Sequence, residues 1–247
     1  MKQIYWIFIL LCLPLVGCKH PDPATPVINP LRHLQDARDL LAHISQANTT
    51  YQHSPSIVTW KTASTDYQSY TDCSGFINAL FQHSYQVDSL YFKTWMGVKR
   101  PHASDYYEAI VSGNKFNHIT QISDMQPGDV IALKFLDRSQ HEEDTGHCLL
   151  MDGAPIRMPS ADILLANTVQ YSVRVMDSTG SPHSADTRRL SATEHYPGLG
   201  EGTFRFYADL QGRLVGYSWG VGRPLDGFDP LASPIAVGRQ TAFGAGQ

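Results

Sequence analysis

The chain has 247 residues, 42% of them hydrophobic and 17% charged, which supplies one domain with a real core and argues against intrinsic disorder. Nineteen Lys and Arg against 23 Asp and Glu leave a formal charge of −4, and no Lys- or Arg-rich run is present, so no nucleic-acid partner is expected. Four cysteines, two of them within the first eighteen residues, give neither a dense disulfide framework nor a Cys-x-x-Cys pair for zinc or redox chemistry. Cysteine chemistry then falls to a single thiol, with no metal and no cofactor.

Lys2 precedes an apolar run from Ile4 to Val16 that is too short for a confident membrane span, and it ends in Leu15-Val16-Gly17-Cys18. This segment resembles a bacterial lipoprotein signal. The resemblance implies removal of residues 1–17, lipidation of Cys18 and attachment to a membrane through that anchor. Lys19 directly after the cysteine resembles the pattern sorted to the outer membrane, which implies the periplasmic face of the cell envelope. Residues 18–30, with Pro21, Pro23 and Pro26, read as an extended tether. Residues 31–247 are left as one domain.

Leu31, Leu34, Ala37, Leu41 and Ile44 recur at spacings of three and four, which predicts an amphipathic helix from Leu31 to Ala47. The Ser-, Thr- and Tyr-rich stretch from Gln46 to Thr71 reads as loop. A second, more buried helix starts near Cys73, with Phe76, Ile77, Leu80 and Phe81 on one face. Tyr85 to Gln126 is mixed and aromatic, with no assigned element. Pro127-Gly128-Asp129 is a turn into a strand from Val130 to Phe135, and Asp129 reads as a cap for local amides. Strands follow at His147–Asp152 and Tyr171–Asp177, then a hairpin pairs Phe204–Tyr207 with Leu214–Tyr217 around Gln211-Gly212. Helices first and strands later imply an α+β domain whose N-terminal helices pack on an antiparallel sheet.

The chemistry concentrates at Thr71-Asp72-Cys73-Ser74-Gly75-Phe76, where a cysteine opens a helix that Asp72 or Thr71 can cap. Unpaired amides and the positive helix end favour a thiolate there, and the same amides polarise a carbonyl oxygen. Gly75 leaves room for a substrate backbone. The thiol needs a base, and His147 opens a strand after Gly146, whereas Cys148 points to the opposite face and serves as the fallback nucleophile. A third group orients the imidazole, and alternation places Asp177 on the face of Val173 and Val175.

In order, Asp72-Cys73-Ser74-Gly75-Phe76, Arg100-Pro101-His102-Ala103-Ser104, Gln126-Pro127-Gly128-Asp129-Val130 and Gly146-His147 resemble the NlpC family of papain-like bacterial cell-wall cysteine peptidases, with coverage from about Trp60 to Ser178. The resemblance implies a papain-like fold and hydrolysis of peptide bonds in peptidoglycan stems, with Cys73 as nucleophile, His147 as general base and Asp177 in the third polar position. Ser74, Gly75 and Arg100 would lie against substrate, with Arg100 meeting a stem-peptide carboxylate. His183, in Ser181-Pro182-His183, is an alternative third residue ranked below Asp177. The family's Tyr-x-Trp-Gly-Gly segment is absent, and only Trp60, Tyr67 and Tyr70 stand in that region. Residues after Ser178 through Gly202 read as an insertion. Two other readings stand beside this one: a Cys-His amidase or acyltransferase acting on a lipid or a non-wall peptide, and a catalytically idle wall-binding lipoprotein. Glu142, Glu143 and Asp144 with His141 imitate a metal cluster, but adjacent side chains diverge, and a solvated turn fits better.

Overall fold

The computed structural model describes residues 31–137, 144–159, 165–222 and 234–241. The signal, the tether and Cys18 lie outside the described residues, as do His141, Glu142 and Glu143. Among the described residues no helix is long and apolar enough to cross a membrane.

Helix α1 (Arg32–His43) buries Leu34, Ala37 and Leu40 and stops short of Ala47, because the backbone at Ile44 turns extended. The stretch expected as loop contains three short strands instead, β1 (Thr49–Tyr51), β2 (Ile57–Thr59) and β3 (Gln68–Thr71), in the order β1-β3-β2 with β1 parallel to β3. Strands of three or four residues rich in Thr, Ser and Gln are too short to show an alternating pattern. Helix α2 (Cys73–Tyr85) follows β3 directly and ends at Gln86, which takes a left-handed conformation.

The unassigned region from Tyr85 to Gln126 holds two more helices and a strand. Helix α3 (Ser89–Met96) is capped by Asp88, whose carboxylate accepts from the Leu90 and Tyr91 amides. Helix α4 (Ala103–Val111) starts in a reciprocal box between His102 and Asp105, and β4 (Phe116–His118) follows. Aromatic residues distributed around short helices blur the 3.6-residue period.

Strands β5 (Val130–Lys134), β6 (Gly146–Met151), β8 (Val169–Thr179), β9 (Gly198–Ala208) and β10 (Leu214–Ser218) run as an antiparallel meander, with β7 (Ile156–Arg157) paired beside β8. Strand β11 (Ile235–Gln240) enters between β5 and β4, antiparallel to both. The molecule is therefore α+β with one large antiparallel sheet, and β10 curls round to lie against β11. Asp129 accepts from the Gln126 amide at 2.8 Å and pairs with Arg239 of β11, as its turn position implied.

Alternation divides the core. Val130, Ala132, Cys148, Leu150 and Met176 face the helices, meeting Phe76, Ile77, Leu80 and Phe81 of α2. Ile131, Leu133, Leu149, Met151, Val173 and Val175 face the concave side with Phe204 and Phe206. Each fully buried Val, Leu, Ile, Phe or Met side chain among them contributes about 1.5–3 kcal/mol relative to exposure. The segment read as an insertion is in part sheet: β9 begins at Gly198 and pairs with β8 through the register Thr179↔Gly198 to Val169↔Ala208.

Candidate active site

Asp72 alone separates β3 from helix α2, which puts Cys73 at the first helical position against the large sheet. Asp72 caps the helix: Oδ1 accepts from the Gly75 amide at 2.6 Å and from the Ser74 hydroxyl at 3.1 Å. Its Oδ2 takes the Arg100 guanidinium at 2.7 Å and His53 Nδ1 at 3.1 Å. Burial alone would raise the Asp72 carboxyl, but Arg100, the Gly75 amide and His53 outweigh it and lower it. The amides of Cys73 and Ser74 belong to the first turn, where no preceding helical carbonyl exists for them.

Cys73 is 3% exposed, and its thiol lies close enough to His147 to act on the charge of the imidazole. His147 is delivered by Gly146, whose φ of +145° only glycine adopts readily and whose Cβ would fall 1.8 Å from the Leu133 carbonyl oxygen. His147 Nε2 is 2.6 Å from Asp177 Oδ2, which leaves Nδ1 for the thiol. Burial would lower His147, yet the charge and hydrogen bond of Cys73 together with Asp177 raise it to about 10. The Trp219 ring meets the imidazole edge-on, with centroids 4.8 Å apart.

Asp177 is fully buried and lies at the end of the face that carries Val173 and Val175. Its Oδ2 also receives His183 Nε2 at 2.9 Å, and Arg188 Nη1 lies 2.9 Å from Oδ1. Burial pushes this carboxyl up, while the charges of His183 and Arg188 and the bonds from both imidazoles hold it well below the ordinary range. The structure thus brings Cys73, His147 and Asp177 together and places His183 behind Asp177, off the thiol. Cys148 faces the helix-side core and is fully buried, and burial pushes its thiol well up.

The three residues read as substrate contacts are largely engaged with the protein itself. The Ser74 hydroxyl serves the Asp72 cap, and Arg100 is bound to Asp72 and to the His53 carbonyl at 3.2 Å. The space at Gly75 is taken by Thr71, since a Cβ there would lie 2.1 Å from Thr71 Oγ1. A small cleft over Cys73 is bounded by His53, His102, Asp144 and Thr145. Beside it, a groove of about 420 Å³ runs along Ile57, Val58, Ala79, Lys99 and Arg100.

Trp60, Tyr67 and Tyr70 stand elsewhere: Trp60 stacks on His83 and donates to the Asp36 carbonyl, Tyr67 donates to Asp39, and Tyr70 to the Ala47 carbonyl. The tyrosine beside the thiol is Tyr51, which β1 carries next to Thr71. Burial and then the charges of Cys73, Asp144, Asp72 and Asp177 push its phenol well up, so it stays a proton donor at neutral pH. Sequence reasoning missed it because its strand is three residues long. Among the described residues no group of three or more His, Cys, Asp or Glu has the arrangement to hold a metal ion.

No family model matches the chain, and no solved structure matches it. Uncharacterized protein R653 of Acanthamoeba polyphaga mimivirus is 37% identical over 212 residues, covering 82% of this chain and 93% of the viral protein. The chain belongs to the family of that mimivirus protein. The match extends over most of both chains, so the family comprises the domain as a whole rather than a short motif around Cys73.

Proposed function

We propose that the protein is a cysteine hydrolase of amide bonds, of the papain-like NlpC type, acting on peptidoglycan stem peptides. The observation that carries this reading is Cys73 at a helix N-terminus beside His147, whose other side is held by the Asp177 carboxylate at 2.6 Å. His147 Nδ1 takes the Cys73 proton, and the thiolate attacks the amide carbonyl to form a tetrahedral intermediate. Its oxyanion is met by the first-turn amides of α2 and by the Tyr51 hydroxyl. His147 then protonates the leaving amine, and water releases the acid from the acyl-enzyme. Stem peptides enter as substrate through the motif order in the sequence, and Leu15-Val16-Gly17-Cys18 supports a lipid anchor at Cys18 in the cell envelope.

One observation favours a second reading. The groove on the α2 face of Gly75, Asn78 and Ala79 is lined also by Ile57, Val58 and Lys99, which suits an acyl chain with an anionic head and hence a Cys-His amidase or acyltransferase on lipid. The test is mass spectrometry of purified peptidoglycan incubated with the full-length protein and with Cys73→Ala. Stem fragments from wild type alone, with the variant folded, support the wall hydrolase. Retained turnover in Cys73→Ala removes Cys73 as nucleophile, and rapid Cys73 alkylation without wall fragments shifts the substrate to the second class.

A further inference from the structure

Two imidazoles share one carboxylate oxygen. His147 Nε2 and His183 Nε2 lie 2.6 and 2.9 Å from Asp177 Oδ2, and all three residues are buried. The second nitrogen of His183, Nδ1, is 2.8 Å from the Trp219 carbonyl oxygen. A carboxylate and a carbonyl only accept, so both His183 nitrogens face acceptors, an arrangement that only a ring with two N–H groups satisfies in full. His147 differs, because its second nitrogen faces a thiol that can surrender a proton.

Around the pair stand Asp72 beside Cys73 at the start of α2, Tyr51 from β1, Asp144 from the segment before β6, and Asp177 from β8. The chain after β8 adds Asp186 and Arg188, paired at 2.7 Å, and the Asp186 carboxylate also accepts from the His183 amide at 2.7 Å. With His183 charged, Asp177 and Asp186 are balanced by His183 and Arg188. The Cys73–His147 couple is left with one proton to exchange.

We propose that His183 is a positioning residue: a buried imidazolium that fixes Asp177 and draws off part of its negative charge, so that His147 can release its proton to the leaving group. This inference rests on the Cys73–His147 reading. Without the His183 charge, Asp177 binds the His147 proton more tightly, and the imidazolium persists to higher pH.

The test follows alkylation of Cys73 by iodoacetamide against pH in the full-length protein, quantified on the Cys73 peptide by mass spectrometry. In His183→Gln the alkaline step, where His147 loses its proton, moves up by about one pH unit, a tenfold change in proton affinity. A step that stays in place while the melting temperature falls overturns the proposal and leaves His183 a structural residue. A wild-type Cys73 that alkylates no faster than a free thiol overturns the nucleophile reading itself. Should His183→Gln not fold, 15N imidazole spectra of the wild type decide: both His183 ring nitrogens protonated at pH 7 is the expected result, and one protonated nitrogen overturns the proposal.

Discussion

His147 and Asp177 divide the work of a base between them, the ring moving the proton and the carboxylate choosing which nitrogen is available. His147→Ala removes the proton carrier, and kcat/KM on the cleaved substrate falls by roughly 10²–10⁴-fold. Asp177→Asn keeps an oxygen for His147 Nε2 and costs less, a difference that steady-state kinetics on the two purified variants will read. A variant Asp177→Ala with the wild-type rate would place the orienting role elsewhere. Both residues were legible in the sequence because a strand start after glycine and a period-two face are local signals. Tyr51 and Trp219 were not, since each reaches the site through a contact between elements distant in the chain, and no neighbouring residue records it.

At the scale of elements, the junction of β3 and α2 is the most constrained part of the molecule. Asp72 there satisfies two groups of its own helix, the Arg100 guanidinium and His53 Nδ1, and Gly75 lets Thr71 and Ser56 close on the first turn. A methyl group at position 75 would sit 2.1 Å from Thr71 Oγ1, 2.8 Å from Ser56 Oγ and 3.0 Å from Asp72 Oδ1. Gly75→Ala is therefore expected to destabilise the protein by about 1–3 kcal/mol, read as a lower urea midpoint, and to slow Cys73 alkylation by disturbing the cap. An unchanged midpoint would mean that the junction yields easily. The start of α2 was readable from Asp72 and the apolar spacing, and the meander from its alternating strands. Helices α3 and α4 were not, because they are eight and nine residues long, so that Phe92 and Trp95 in one give a single interval and Ala103, Tyr106, Ala109 and Ile110 in the other keep the helical spacing for only two turns.

Across the whole molecule, the site is locked by the chain that returns from β8 to β9. Arg188 is fully buried: Nη1 donates to the carbonyls of Asp177 and Gly198 at 3.0 and 2.9 Å, and Nε donates to Asp186 at 2.8 Å. Strand β9 makes room for this return with Gly200, where a Cβ would lie 2.6 Å from Arg188 Nε, and Gly202, where it would lie 2.7 Å from His183 Cβ. The sequence Gly198-Leu199-Gly200-Glu201-Gly202 thus held a signal in its alternating glycines, but only the fold reveals what they admit. Arg188→Met takes the guanidinium from two buried carboxylates, Asp177 and Asp186, and is expected to cost about 3–5 kcal/mol at pH 7. The pH dependence has a definite sign. Asp177 is held well below the ordinary carboxylate value of 3.8, so its stabilisation is present above that value and is lost as pH falls through the lowered one. In Arg188→Met the carboxylate accepts a proton more readily, and acid relieves part of the defect. Urea unfolding of both proteins from pH 7 down to about 3 should show a smaller gap between them at the acid end than at neutral pH. A gap that stays constant would mean that Arg188 acts through packing and its carbonyl bonds rather than through the charge on Asp177.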